Sequence, residues 1–114
     1  MESILTSIKQ LLNIMPECED YDPQVIMHIN DALSDLRQLG VGPSEGFFID
    51  DRSAIWEDFI PDFRKFHTVK TCVYHKVKLA FDPPLSAAAI EALKSQIAEE
   101  EWRLHVQAET PNSL

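Results

Sequence analysis

All three glycines of the chain fall within residues 40–46, in the run Gly40-Val41-Gly42-Pro43-Ser44-Glu45-Gly46. Glycine is the residue that most readily leaves regular backbone, so this clustering predicts one long loop, around residues 40–53, between stretches free to keep a regular period. The period in those stretches is helical. Ile4, Ile8, Leu11, Leu12 and Met15 share one helix face, and Pro16 is expected to end that run. Asp22-Pro23 offers a capping carboxylate followed by the residue favoured at the first helical position. A helix is therefore expected over 23–39, burying Ile26, Ile29, Leu33, Leu36 and Leu39 and terminated by Gly40.

Beyond the loop, Phe47, Phe48 and Ile49 are too few for a strand and are expected to plug the core beneath it. Asp50, Asp51 and Ser53 are available caps for a short helix carrying Ile55, Trp56, Phe59 and Ile60, which Pro61 stops. From Asp62 a longer helix follows for about five turns through Phe63, Phe66, Val69, Val73, Val77 and Ala80, up to Asp82-Pro83-Pro84. Ser86 caps the last helix, in which Ile90, Leu93, Ile97, Glu101 and Leu104 form the inward stripe. The expected fold is all-α, a compact bundle of four main helices plus one short helix, with a single domain over 1–108 and a frayed tail over 109–114.

A chain of 114 residues has room for one core. Its 45% apolar and 25% charged content is a globular balance, not that of a disordered chain. No apolar run reaches the length of a bilayer span, and the start of the chain lacks a signal peptide's basic flank and cleavage site, so the protein is expected to stay where it is made. Cys18 and Cys72 are too far apart to match a metal or redox spacing and read as reduced cytoplasmic thiols.

Catalytic equipment is absent from the pattern. None of His28, His67, His75 and His105 has another histidine three or four residues away, and no zinc-protease motif occurs. Cys72 and His75 share a helix face at i, i+3, but two ligands do not make a zinc site, and Cys72 reads as a small buried residue. No nucleophile elbow is present, and Gly40-Val41-Gly42-Pro43 lacks the third glycine of a phosphate loop. No catalytic, cofactor-binding or metal residue is assigned, and no enzyme is expected.

The formal charge of −9 argues against tight sequence-independent binding of nucleic acid, which is driven by lysine and arginine displacing counterions. Residues 62–82 depart from that balance. Arg64, Lys65, Lys70, Lys76 and Lys78 stand there against Asp62 and Asp82, a net +3 that leaves −12 for the rest of the chain. Two readings stay open: the lysines keep the helix soluble, or a basic face meets an acidic face on an identical neighbour. Glu99-Glu100-Glu101 reads as a solvated face, or as an interface with Trp102-Arg103 beside it. Trp102 lies next to the Ile97 and Leu104 stripe, so core packing is expected for it before partner contact; Trp56 carries the same ambiguity. The candidate interface is thus Arg64, Lys65, Lys70, Lys76, Lys78, Glu99, Glu100, Trp102 and Arg103.

An ordered set of segments resembles the small head-tail connector, or adaptor, proteins of tailed phages and prophages. The segments are Ile26-Met27-His28-Ile29-Asn30, Leu39-Gly40-Val41-Gly42-Pro43, Trp56 with Asp58-Phe59, Lys76-Val77-Lys78-Leu79-Ala80-Phe81-Asp82-Pro83-Pro84, and Glu101-Trp102-Arg103-Leu104, within a resemblance from about Ile4 to Gln107. The resemblance implies an all-α virion protein, made in the host cytoplasm, that forms a ring of identical subunits under the portal at the head-tail junction. Such a ring extends the DNA channel, lets DNA pass without specific binding, and offers a platform to tail completion, or stopper, proteins. It implies no catalytic residues, cofactor or membrane. An acidic surface facing the channel would repel DNA enough to let it slide. The rival from another class is a small acidic inhibitor that imitates DNA, which would need carboxylates spaced along an elongated surface.

Overall fold

The computed structural model describes residues 2–109, except the side chains of Phe63, Arg64 and Glu109, and it is all-α. The elements are α1 (Ile4–Leu11), α2 (Asp22–Gln38), the short α3 (Trp56–Phe59), α4 (Phe63–Phe81) and α5 (Ala87–Glu109). These are the expected four main helices and one short one. The expected tail over 109–114 lies, from residue 110 onward, outside the described residues.

α4 is the organising helix. It packs against both α2 and α5, while α1 lies on α2 and α4. Val69, Cys72, Val73 and Val77 of α4 are fully buried, and they meet Val25, Ile29, Leu33 and Leu36 of α2 and Ile4 and Ile8 of α1. Each such aliphatic side chain contributes roughly 1.5–3 kcal/mol by leaving water. Tyr21 sets its ring edge-on to Phe81 at 5.7 Å, so the start of α2 lies at the end of α4 and the two helices run antiparallel.

The helix ends show which punctuation acts. Gly40 adopts φ +88°, and the N–H of Val41 donates to the Leu36 carbonyl at 2.9 Å, so the glycine stop of α2 is made as expected. Ser86 caps α5 by accepting from the N–H of Ala89 at 3.0 Å. Two expectations fail. α1 stops at Leu11, short of Pro16, because Asn13 turns left-handed at φ 64° and takes Met15 out to solvent. Asp22 does not cap α2: it is the first helical residue, Tyr21 occupies the cap position, and the carboxylate pairs instead with Lys9 of α1 at 2.8 Å.

Lys9 is only 3% exposed, and its ammonium also donates to the carbonyls of Pro16 at 3.1 Å and Cys18 at 2.7 Å. Two carbonyls thus accept from the ammonium and the Asp22 carboxylate offsets its charge, which is what a buried ammonium requires. This knot ties the α1–α2 connector to the bundle.

The loop after α2 is held in the same manner. The side chain of Asn30 donates to the Ile49 carbonyl at 3.1 Å and accepts from the Ile49 N–H at 2.8 Å, completing both backbone groups of one loop residue. Ile49 is buried and Phe47 packs on Phe59, but Phe48 is 71% exposed, so the expected three-residue plug is two residues and an outward ring. Asp51 accepts from the N–H of Ser53 within the loop, while the short α3 is closed by Asp58, which accepts from the N–H of Ile55. Trp56 is fully buried, and its indole N–H donates to Ser7 Oγ at 2.8 Å; Ser7 in turn donates to the Ile4 carbonyl. Its place in the core is settled.

Candidate subunit interface

The candidate residues lie on α4 and α5, and the structure separates them into an inward set and an outward set. α4 sits between acidic neighbours, and its lysines turn toward them. Lys70 reaches Glu2 at 2.8 Å and passes over the Phe66 ring at 5.7 Å. Lys76 bridges Asp35 of α2 at 3.0 Å and Glu101 of α5 at 2.5 Å. Lys78 pairs with Asp82 one turn on, at 3.6 Å. Burial works against the Lys76 ammonium, but its hydrogen bonds to Glu101 and Asp35 outweigh that cost and hold its pKa above the ordinary lysine value. The three lysines therefore have carboxylates of their own chain as partners. Lys65 is half-buried at the cleft beneath the loop, and the side chain of Arg64 lies outside the described residues.

Glu100 belongs to the inward set as well. It is 7% exposed, and both carboxylate oxygens lie 3.0 Å from Nδ1 of His75. Together with the Lys76 bridge this makes a polar seam between α4 and α5. Cys72 sits fully buried near the seam, and its thiol is pushed up to about 12, first by burial and then by the charge of Glu100. A thiol so held keeps its proton at neutral pH. Among the described residues no group of three or more histidine, cysteine, aspartate or glutamate side chains could hold a metal ion.

The outward set lies on α5. Trp102 is 65% exposed, contrary to the expected core packing. It falls beside the buried positions Ile97 and Leu104, but Glu100, two residues before it, is the side chain that turns in. Glu99 and Arg103 flank Trp102, are exposed, and pair with each other along the helix. Pairs of this kind contribute about 0.3–0.5 kcal/mol and are easily re-formed with another chain. Farther toward the start of α5, Ala88, Ala89 and Ala92 are exposed, as is Leu85 in the preceding turn. Only Leu93, Ile97, Glu100 and Leu104 are buried among the described side chains of this 23-residue helix, so most of its length is open surface.

Sequence reasoning missed Lys9 and Asn30, whose partners lie seven to nineteen residues away and leave no periodic trace. Among the described residues no helix is long and apolar enough to cross a membrane. No curated protein and no solved structure matches the chain. A family model described as phage connector protein matches residues 4–111, which takes in every described helix. The chain belongs to the phage connector protein family.

Proposed function

We propose that the chain is a structural ring subunit at the head-tail junction of a tailed phage. Identical copies assemble under the portal, extend the DNA channel and present a docking platform for tail completion proteins, with no catalytic step. The observation that carries this reading is the family match over residues 4–111. Membership implies a structural place in the virion and contact with other virion proteins. The ring, the channel and the platform are the finer reading.

The geometry supplies a surface for that reading. Trp102 stands out of α5 between Glu99 and Arg103, and exposed tryptophan beside arginine is the composition of an interface anchor. In this reading Trp102, Glu99 and Arg103 make the contact with a neighbour, with Arg64 and Lys65 as further contacts. Lys70, Lys76, Lys78 and Glu100 serve it indirectly by fixing α5 and the start of the chain to α4. The net charge of −9 suits a conduit wall, since an acidic lumen lets DNA slide. A ring whose lumen were lined by lysines would contradict that part. The family match offers no support to the DNA-mimic alternative.

The test is mass-resolved size exclusion of the protein, alone and mixed with portal assemblies of related phages. A ring-sized species, or a monomer that joins the portal peak, is expected. Trp102→Ala is expected to lose that association while its thermal unfolding stays unchanged, because the side chain is largely in water in the free subunit. A natural chain that stays monomeric beside every portal would overturn the proposal.

A further inference from the structure

A cleft of about 500 Å³ opens between the loop after α2, the short α3 and the start of α4, with Val41, Pro43, Phe59, Ile60 and Pro61 as its apolar floor. That volume lies within the range of about 300–1,000 Å³ that seats a ligand larger than one side chain, so an aromatic ring enters with room to spare. α5 carries such a ring, 65% exposed, in Trp102. At about 100° per residue, Trp102 stands about 160° round the helix from both Glu100 and Leu104, which face the bundle. α5 reaches the wall of the cleft at its last turn, where a Cβ placed on Gly40 would stand 3.1 Å from Cβ of Ala108. Ala108 is about 9 Å farther along the axis than Trp102 and about 120° round it, so the indole points away from the cleft of its own chain.

We propose that this cleft is the socket for Trp102 of a second copy of the chain, a contact that rests on the ring proposed above and joins its neighbouring subunits. Charge supports the match. The rim carries Glu57, Asp58 and Asp62 against the single Lys65, while Trp102 is flanked by Arg103 and Glu99. Asp58 already accepts from the N–H of Ile55 and Asp62 is half-buried, so the exposed Glu57 is the carboxylate open to Arg103, and Lys65 takes Glu99. Glu99 and Arg103 give up only an exposed pair with each other, so the exchange costs little. An indole set on the floor takes apolar surface of both copies from water, and a buried tryptophan ringed by paired charges is the arrangement of an interface anchor. Plug and socket are different surfaces of one subunit. Each copy that fills a neighbour's cleft therefore keeps its own cleft for the next, and such a contact propagates until it closes on itself.

The test places benzoylphenylalanine, whose ketone bonds to nearby C–H groups under light, at residue 102 of the full chain, in the assembly expected above. Irradiation is expected to give products of two or more chain masses, with the bond mapped to the peptides that hold Val41 and Pro43 or Phe59, Ile60 and Pro61. A bond inside one chain, to any other surface of a second copy, or to the portal alone would overturn the socket and leave the ring standing. A natural chain that stays monomeric beside every portal would overturn the ring and the socket with it. A charge exchange keeps Trp102 and checks the rim by size exclusion. Arg103→Glu is expected to weaken the assembly about two- to fivefold, the scale of an exposed ion pair, and Glu57→Arg in the same chain to recover it. An Arg103→Glu chain that assembles like the natural one, or that Glu57→Arg fails to rescue, would overturn the proposal.

Discussion

Gly42 is the residue at which the loop comes closest to the core. Its φ is +88°, and a Cβ there would lie 2.4 Å from the ring of Phe59, a side chain 1% exposed with no room to retreat. Gly42→Ala therefore combines left-handed strain with overpacking, and is expected to cost on the order of 2–4 kcal/mol by urea denaturation. Gly46 provides the control. Its φ is +100°, but the nearest atoms to its Cβ position are 3.9 Å away, so Gly46→Ala carries strain alone, roughly 1–2 kcal/mol. Equal losses at the two positions would refute the assignment of Phe59 as the obstacle. Asn30 holds the same loop from the helix side. Asn30→Ala leaves both backbone groups of the buried Ile49 without their partner, expected to cost about 1–3 kcal/mol and to speed hydrogen exchange at the Ile49 amide above that at Val41. The loop itself was legible from its glycines, because positive φ selects that residue type. Its fastening was not, because an asparagine on a helix face looks the same in sequence whether it meets water or a loop nineteen residues away.

At the scale of elements, periodic apolar residues marked all four long helices, since burial on one face leaves a repeating trace. Ends governed by a local rule, Gly40 and Ser86, could also be read. Ends governed by tertiary contact could not: Asp22 was claimed by Lys9 of another helix before it could cap its own. The two tryptophans make the same point. Trp56 sits in the core with its indole N–H donating to Ser7, forty-nine residues away, whereas Trp102 has no such acceptor among the described residues and Glu100, two positions before it, fills the seam with His75. α5 is consequently attached through few buried apolar side chains, Leu93, Ile97 and Leu104 among those described. Leu104 is 1% exposed and belongs to the main core, while Leu93 is 8% exposed and packs outside it. Leu104→Ala is expected to cost about 3–5 kcal/mol and Leu93→Ala about 2 kcal/mol or less, read from thermal or urea unfolding. The reverse order would show that the first half of α5, not its end, anchors the helix.

Over the whole molecule the basic segment and the acidic remainder turn out to be complementary parts of one subunit. Lys70, Lys76 and Lys78 spend their charge on Glu2, Asp35, Glu101 and Asp82, which a count along the chain shows only as an imbalance. This arrangement, with the protonated Cys72 at its edge, sets how the fold responds to alkali. The Cys72 thiol is raised from 9.0 to about 12 in the folded protein, chiefly by burial. Below pH 9 both states hold the proton and it contributes nothing to the pH dependence. Between about 9 and 12 only the unfolded chain gives it up, so stability falls as pH rises, by at most about 1.4 kcal/mol per unit. Lys76 is raised above 10.5, so its contribution is fully present below that pH and fades only above it. Urea midpoints measured from pH 8 to 10 are therefore expected to decline for the natural chain. They should decline less steeply for Cys72→Ala, which loses a constant amount from the smaller side chain but no longer has the thiol to ionise. Everything the two proteins share cancels in the comparison. The gap between the two narrows as pH rises; parallel lines would mean that the Cys72 thiol ionises as readily in the fold as outside it.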